Sequence, residues 1–262
     1  MRGRWWFGLV LVGLLIIYAV LVSAQTSETT DVQENIRLGE TAYASGDYVS
    51  AAHFFEAAIA SVGNPEAIPP ELYYNLASAY FEADNLGLAL VNALRAQQEM
   101  PRDNDLARTL ALIRALRVDV LGDETVLIDN IAGVTTGLLT ANELTLITFV
   151  LWCLAFGLLL LRLLRPQFRR LSIGIAIVSS ISVLALVLLL GRGYVETVRL
   201  KAVVTAFTTE ALSGPSEDYV LLFTLYNAAE GRILENEAGY VRLLLPDGRQ
   251  GWLPAEDVTV LR

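Results

Sequence analysis

Cysteine and histidine are almost missing from this chain of 262 residues, which holds one of each. With Cys153 alone no intrachain disulfide can form, so every folded part must be stable without one. Cys153 also lies inside an apolar run, where it reads as a small packing residue rather than a redox group. His53 has no second histidine and no nearby cysteine with which to share a metal, and it reads as a surface or packing residue. A lone histidine without an accessible cysteine leaves little from which to build a nucleophile and base. Gly191-Arg192-Gly193 lacks the Lys-Ser/Thr ending of a phosphate loop. The acids are spread along helical segments as solvated faces, so no catalytic, cofactor or metal site is expected and the chain reads as a non-enzyme.

Charge is scarce too, at 18% of residues against 54% hydrophobic, which is too apolar for an ordinary soluble domain. Residues 25–143 hold eighteen acids and six arginines, a net charge of -12, and such a surface excludes nucleic acid as a partner.

Long apolar runs, in contrast, are plentiful. Leu144 to Leu161 and Leu171 to Gly191 carry no charge, and each is long enough to cross a bilayer of about 30 Å as a helix. Between them stand Arg162, Arg165, Pro166, Arg169 and Arg170. Arginines concentrated in a short connection mark the cytoplasmic side. The reading is a transmembrane helix at 144–164, a cytoplasmic turn at 165–170 and a second transmembrane helix at 171–191, with both flanking parts outside. Residues 1–24 start with Arg2 and Arg4, continue through Trp5 to Val22, and end Val22-Ser23-Ala24, which reads as a signal peptide or an uncleaved anchor. Either places Gln25 onward outside. Residues 25–33 are polar and read as a disordered lead-in.

From Glu34 the apolar spacing is helical on both sides of Ser45-Gly46-Asp47, a helix, tight turn and helix. A second copy follows, in which Leu38, Gly39, Ala42, Gly46, Ala51, Phe55 and Ala58 match Leu76, Ala77, Tyr80, Asp84, Ala89, Ala93 and Ala96. The offset is thirty-eight residues, the surplus falling in the Gly-Pro-rich joint from Gly63 to Pro70. These matched positions resemble the tetratricopeptide repeat. Asp103 to Arg117 adds a capping helix, with Leu106, Leu110, Ile113 and Leu116 or Leu121 along one face, so the repeat domain is expected over 34–117.

The resemblance implies a groove lined by Gln33, Ile36, Glu40, Tyr43 and Ala44 from the first repeat and by Glu71, Tyr74, Ser78, Phe81 and Glu82 from the second. The family's carboxylate clamp uses Lys and Asn at such places. Here Ile36, Glu40, Tyr74 and Ser78 stand instead, so an apolar or basic peptide or helix fits better than a C-terminal carboxylate. Packing of Tyr43, Tyr74 and Phe81 between repeats is the alternative. Residues 118–143 read as a linker or as an amphipathic segment on the outer membrane surface.

After the apolar runs the pattern changes to short strands rich in β-branched and aromatic residues: Val198 to Phe207, Tyr219 to Leu225, Arg232 to Leu234, Tyr240 to Leu245 and Gly251 to Leu253. Leu245-Pro246-Asp247-Gly248 is a turn. Val241, Leu243 and Leu245 alternate with Tyr240, Arg242 and Leu244, as in a half-buried sheet. The runs AVVTAF, SGPSEDY and DGRQGWLPAEDV resemble the bacterial SH3-like domain, which implies a small all-β barrel over 192–262. Glu210-Ala211-Leu212 replaces the family's Asn-Val-Arg before Ser213-Gly214-Pro215-Ser216. Tyr219, Tyr226 and Trp252 are candidates for a ligand face, but Trp252 in Gly-Trp-Leu reads first as a core or rim packing residue, and packing is the alternative for the two tyrosines as well.

The expected architecture is thus a multi-domain membrane protein of all-α repeats, a two-helix transmembrane hairpin and an all-β barrel. This order, with "RTLALIRALRVD" after the last repeat, resembles the BatE-type proteins of bacterial aerotolerance clusters. The resemblance implies an envelope scaffold working beside membrane-anchored von Willebrand factor A proteins and a MoxR-type ATPase. A peptidoglycan-binding or envelope-sensing role for the SH3-like part is the alternative.

Overall fold

The computed structural model describes residues 31–64, 67–119, 139–164, 172–198 and 200–261, with 195–198 described as backbone only. The signal or anchor, the arginine turn and most of the 118–143 linker lie outside the described residues. The chain divides into two compact units, with the boundary between Asp84 and Asn85.

Among the described residues, the first unit contains three helices. A helix over 31–44 (α1) is already in place at residue 31, three residues before Glu34, and half-buried Val32 extends the apolar stripe of Ile36 by one turn. It is followed by α2 (Tyr48–Ala60) and α3 (Pro70–Glu82). Ser45-Gly46 breaks the chain between α1 and α2, with Gly46 at φ 82°, and Asp47 caps α2 by accepting the Ser50 N–H at 3.1 Å. Pro69 and Pro70 open α3, where a proline costs no helical hydrogen bond. Ala51, Ala52, Phe55 and Ala58 of α2 form one core with Leu72, Leu76 and Ala79 of α3. Gly39 sets the α1–α2 approach: a β-carbon there would lie 2.6 Å from the Phe55 ring, and Phe55 is itself buried.

The second unit starts with α4 (Leu86–Glu99) and α5 (Asn104–Leu116), capped by Asn85 and Asp103. The turn into α4 repeats the geometry of the turn into α2, thirty-eight residues on. Asp84 has φ 60° where Gly46 has 82°, the Asp84 N–H donates to Phe81 as that of Gly46 donates to Tyr43, and Asn85 accepts from Leu88 as Asp47 accepts from Ser50. In α5 Leu106, Leu110 and Ile113 are buried, whereas Leu116 is exposed and does not continue that face.

Two longer helices follow, α6 (Ala141–Leu164) and α7 (Ser172–Val198). They pack on each other, and both are long and apolar enough to cross a membrane. Leucine, isoleucine and phenylalanine side chains such as Phe156, Leu163 and Ile173 are exposed along them, unlike the core helix of a soluble protein, whose apolar side chains are covered. Cys153 is exposed as well, rather than buried as a small packing residue.

Helix α6 begins three residues before the apolar run because Thr140 and Glu143 form a reciprocal cap. The Glu143 N–H donates to the Thr140 hydroxyl at 3.1 Å and the Thr140 N–H to the Glu143 carboxylate at 3.0 Å. Helix α7 runs seven residues past Gly191, so 192–198 is helical rather than part of the β domain.

The strands are β1 (Lys201–Val204), β2 (Thr208–Leu212), β3 (Leu221–Tyr226), β4 (Glu230–Glu237), β5 (Tyr240–Leu244), β6 (Gln250–Pro254) and β7 (Val258–Leu261). They form one antiparallel sheet in the order β3-β2-β6-β5-β4-β1-β7. Flat, that order would hold β2 and β7 about 24 Å apart, at about 4.8 Å per strand. Yet the Thr209 hydroxyl of β2 donates to the carboxylate of Asp257, next to β7, at 2.6 Å. The sheet is therefore curled, with register shifts after Ala211 in β2 and after Ile233 in β4. Residues from both edge strands, Leu225 and Val258, share its core with Val241, Leu243, Leu245 and Leu253.

Candidate functional site

The residues expected to line the groove lie on α1 and α3. Ile36 and Tyr43 pack partly against the α2–α3 core. Tyr43 stands edge-on to Tyr48 with ring centroids 5.2 Å apart. Burial pushes the Tyr43 phenol above its usual range, and the Glu82 carboxylate adds to that, followed by Tyr48 and Tyr74. Tyr74, Ser78 and Phe81 are half-buried, and Glu40 is exposed. The Ser78 hydroxyl donates to the Tyr74 carbonyl of its own helix at 3.0 Å, so its proton is already committed. On the other side of α3, Tyr80 donates to Glu56 of α2, and burial first, then Glu56, raises its phenol strongly.

Of the three aromatic residues suggested for the sheet, Trp252 and Tyr226 pair with opposite ends of β2, at Leu212 and Thr208. Trp252 is only 7% exposed and sits in β6 between Leu212 of β2 and Arg242 of β5. Tyr219 is half exposed and its ring covers Gly214, where a β-carbon would come within 2.5 Å of it. Tyr226 is the last residue of β3, paired with Thr208 at the start of β2.

The best-defined polar cluster in the second unit involves residues that the sequence did not single out. Glu230, at the start of β4, accepts from Arg114 Nε at 2.8 Å and Nη2 at 2.9 Å, and from Arg117 Nη1 at 3.1 Å. Two residues on, Asp119 accepts the Tyr226 N–H at 2.8 Å. The end of α5 is thus bonded to the corner between β3 and β4. Helix α4 approaches the same sheet at Gly87, where a β-carbon would meet the Val204 carbonyl oxygen at 2.7 Å and the Thr205 α-carbon at 2.9 Å. Nothing in the sequence signals Glu230, because its partners are more than a hundred residues away. A glycine at the second position of a helix, at Gly87, is the only local hint.

These contacts also reach the apolar helices. Arg102, between α4 and α5, pairs with Glu143 of α6. Arg192 of α7 is 5% exposed and donates to the Leu139 carbonyl at 2.8 Å. Among the described residues no group of three or more histidine, cysteine or acidic side chains could hold a metal ion, and His53 is exposed beside Phe54. Comparison of the chain with family models, curated proteins and solved structures gives no match.

Proposed function

We propose that this chain is a non-enzymatic scaffold of the bacterial cytoplasmic membrane, holding a protein partner against the face shared by α1 and α3. The observation that carries this reading is the packing of Ile36 and Tyr43 of α1 partly against the α2–α3 core, beside half-buried Tyr74, Ser78 and Phe81 of α3. Aromatic residues at the centre of a patch with polar groups around them are the usual composition of an interface. In this reading α1 to α4 form two tetratricopeptide-type hairpins, supported by the repeated turn geometry at Gly46 and Asp84. The curled sheet is an SH3-like barrel, and α6 and α7 are the transmembrane hairpin.

Both soluble parts belong on the outer side, given the arginines of the 165–170 turn. The packing of α4 and α5 on a sheet that follows the hairpin supports their sharing one side of the membrane. A BatE-type role, with a von Willebrand factor A-type membrane protein as partner, is consistent with this order of parts. The test is recovery of a membrane partner after crosslinking in native membranes. Tyr74→Ala with Phe81→Ala is expected to abolish it while leaving the protein folded; unchanged recovery would exclude the α1–α3 face.

A further inference from the structure

Residues 31–84 contain nine acids and a single base, Arg37. That base is already engaged: its guanidinium donates to both oxygens of Glu34, at 2.9 and 2.6 Å, one turn away on α1. Residues 31–84 therefore hold no other arginine or lysine to balance Glu40, Glu71 or Glu82, none of which has an ion-pair partner among the described residues. All three are exposed; Glu40 lies one turn from half-buried Tyr43 on α1, and Glu71 and Glu82 lie on either side of half-buried Tyr74 along α3.

Resting on the scaffold reading above, we infer that the segment held by the α1–α3 face is cationic, with two arginine or lysine side chains on either side of an apolar centre. Glu71 and Glu82 are eleven residues apart on α3. That is about 16 Å along the axis and within about 20° of the same direction around it. Tyr74 and Ser78 lie between them on that face. A partner helix lying along α3 meets both carboxylates with cations about eleven residues apart, and an extended partner does so with cations about five residues apart. The open faces of Tyr43 and Tyr74 suit an arginine or an aliphatic side chain in the middle. An anionic lipid surface would be repelled by the same charges, so the occupant is a protein segment.

The experiment uses the full chain in detergent micelles and two fluorescein-labelled peptides, one helical and one extended. Each carries two arginines at the spacing given and leucines between them, and each has a counterpart with glutamates at the same places. At least one arginine peptide is expected to bind about tenfold more tightly than its glutamate counterpart, with the difference shrinking at high salt. Glu71→Gln with Glu82→Gln should weaken that binding about fivefold and reduce its salt dependence. Equal binding of arginine and glutamate peptides, or no binding of either arginine peptide, overturns the inference. If the glutamine pair leaves binding of the arginine peptide unchanged while Tyr74→Ala with Phe81→Ala abolishes partner recovery, the face stands and its cationic specificity falls. Loss of neither removes the face itself.

Discussion

Arg114 and Glu230 are 116 residues apart, with both long apolar helices between them in the chain, and they meet through two parallel hydrogen bonds of 2.8 and 2.9 Å. With Arg117 as a second donor, one carboxylate ties the end of α5 to the start of β4. The parts before and after the hairpin are joined there and at Gly87, so α4, α5 and the sheet fold as one body.

Breaking this clamp leaves two arginines facing each other. Glu230→Gln is expected to destabilise the second unit by about 1–3 kcal/mol, the usual range for losing a partly buried charge-assisted bond. Denaturant unfolding of the full chain in detergent measures it. A double-mutant cycle with Arg114→Ala should show that the two changes are not additive.

Gly87 tests the same contact by shape. Alanine is the better helix former by about 1 kcal/mol, but its β-carbon would press on the backbone of Val204 and Thr205, which cannot rotate away. Gly87→Ala should therefore lower stability by about 1–3 kcal/mol, as overpacking does. Gly174→Ala on α7, with open space around it, should not.

In the sequence, the helical periods, the two apolar runs and the strand alternation of Val241, Leu243 and Leu245 were legible, because each is set by side chains a few residues apart. Strands β2 and β7 were not, since TTEAL and VTVL are short and gain their place only from long-range pairing with β3, β6 and β1. The early start of α6 was readable from Thr140 and Glu143, a capping box three residues apart. The extension of α7 through Arg192 was hidden, because the Leu139 carbonyl that holds that arginine comes from the other side of the hairpin. On the candidate face, the spacing of Tyr74, Ser78 and Phe81 was visible along α3, but the packing of Tyr43 against the α2–α3 core needed the fold. Trp252 was readable as a packing residue, and it is buried in β6, between β2 and β5.

The β4–β5 turn consists of Ala238 and Gly239, both in the left-handed region at φ 52° and 82°. That two-residue form suits the twist of the strands, but an alanine pays a steric penalty in it. Ala238→Gly, or Ala238→Asn, should raise the thermal midpoint by an amount equivalent to about 0.5–1 kcal/mol. No change or a fall would mean that the turn is not held in this conformation.

Tyr80 makes the first unit sensitive to alkali. Its phenol is raised in the folded state, by burial first and then by the neighbouring Glu56, above the usual value near 10. A raised group favours its protonated form in the fold, so its contribution is fully present below pH 10 and is lost as pH climbs through and beyond that value. Helical content followed by circular dichroism during heating should show a falling midpoint above about pH 10. Tyr80→Phe should remove this part of the fall.

The central claim is that the α1–α3 face holds a membrane partner, and site-specific photocrosslinking tests it most directly. A benzophenone side chain placed at Tyr74 or at Phe81 in intact membranes is expected to give the same protein adduct. The same group at His53, exposed on α2, is expected to give none. Absence of an adduct at both Tyr74 and Phe81, or the same adduct from all three positions, would contradict the account.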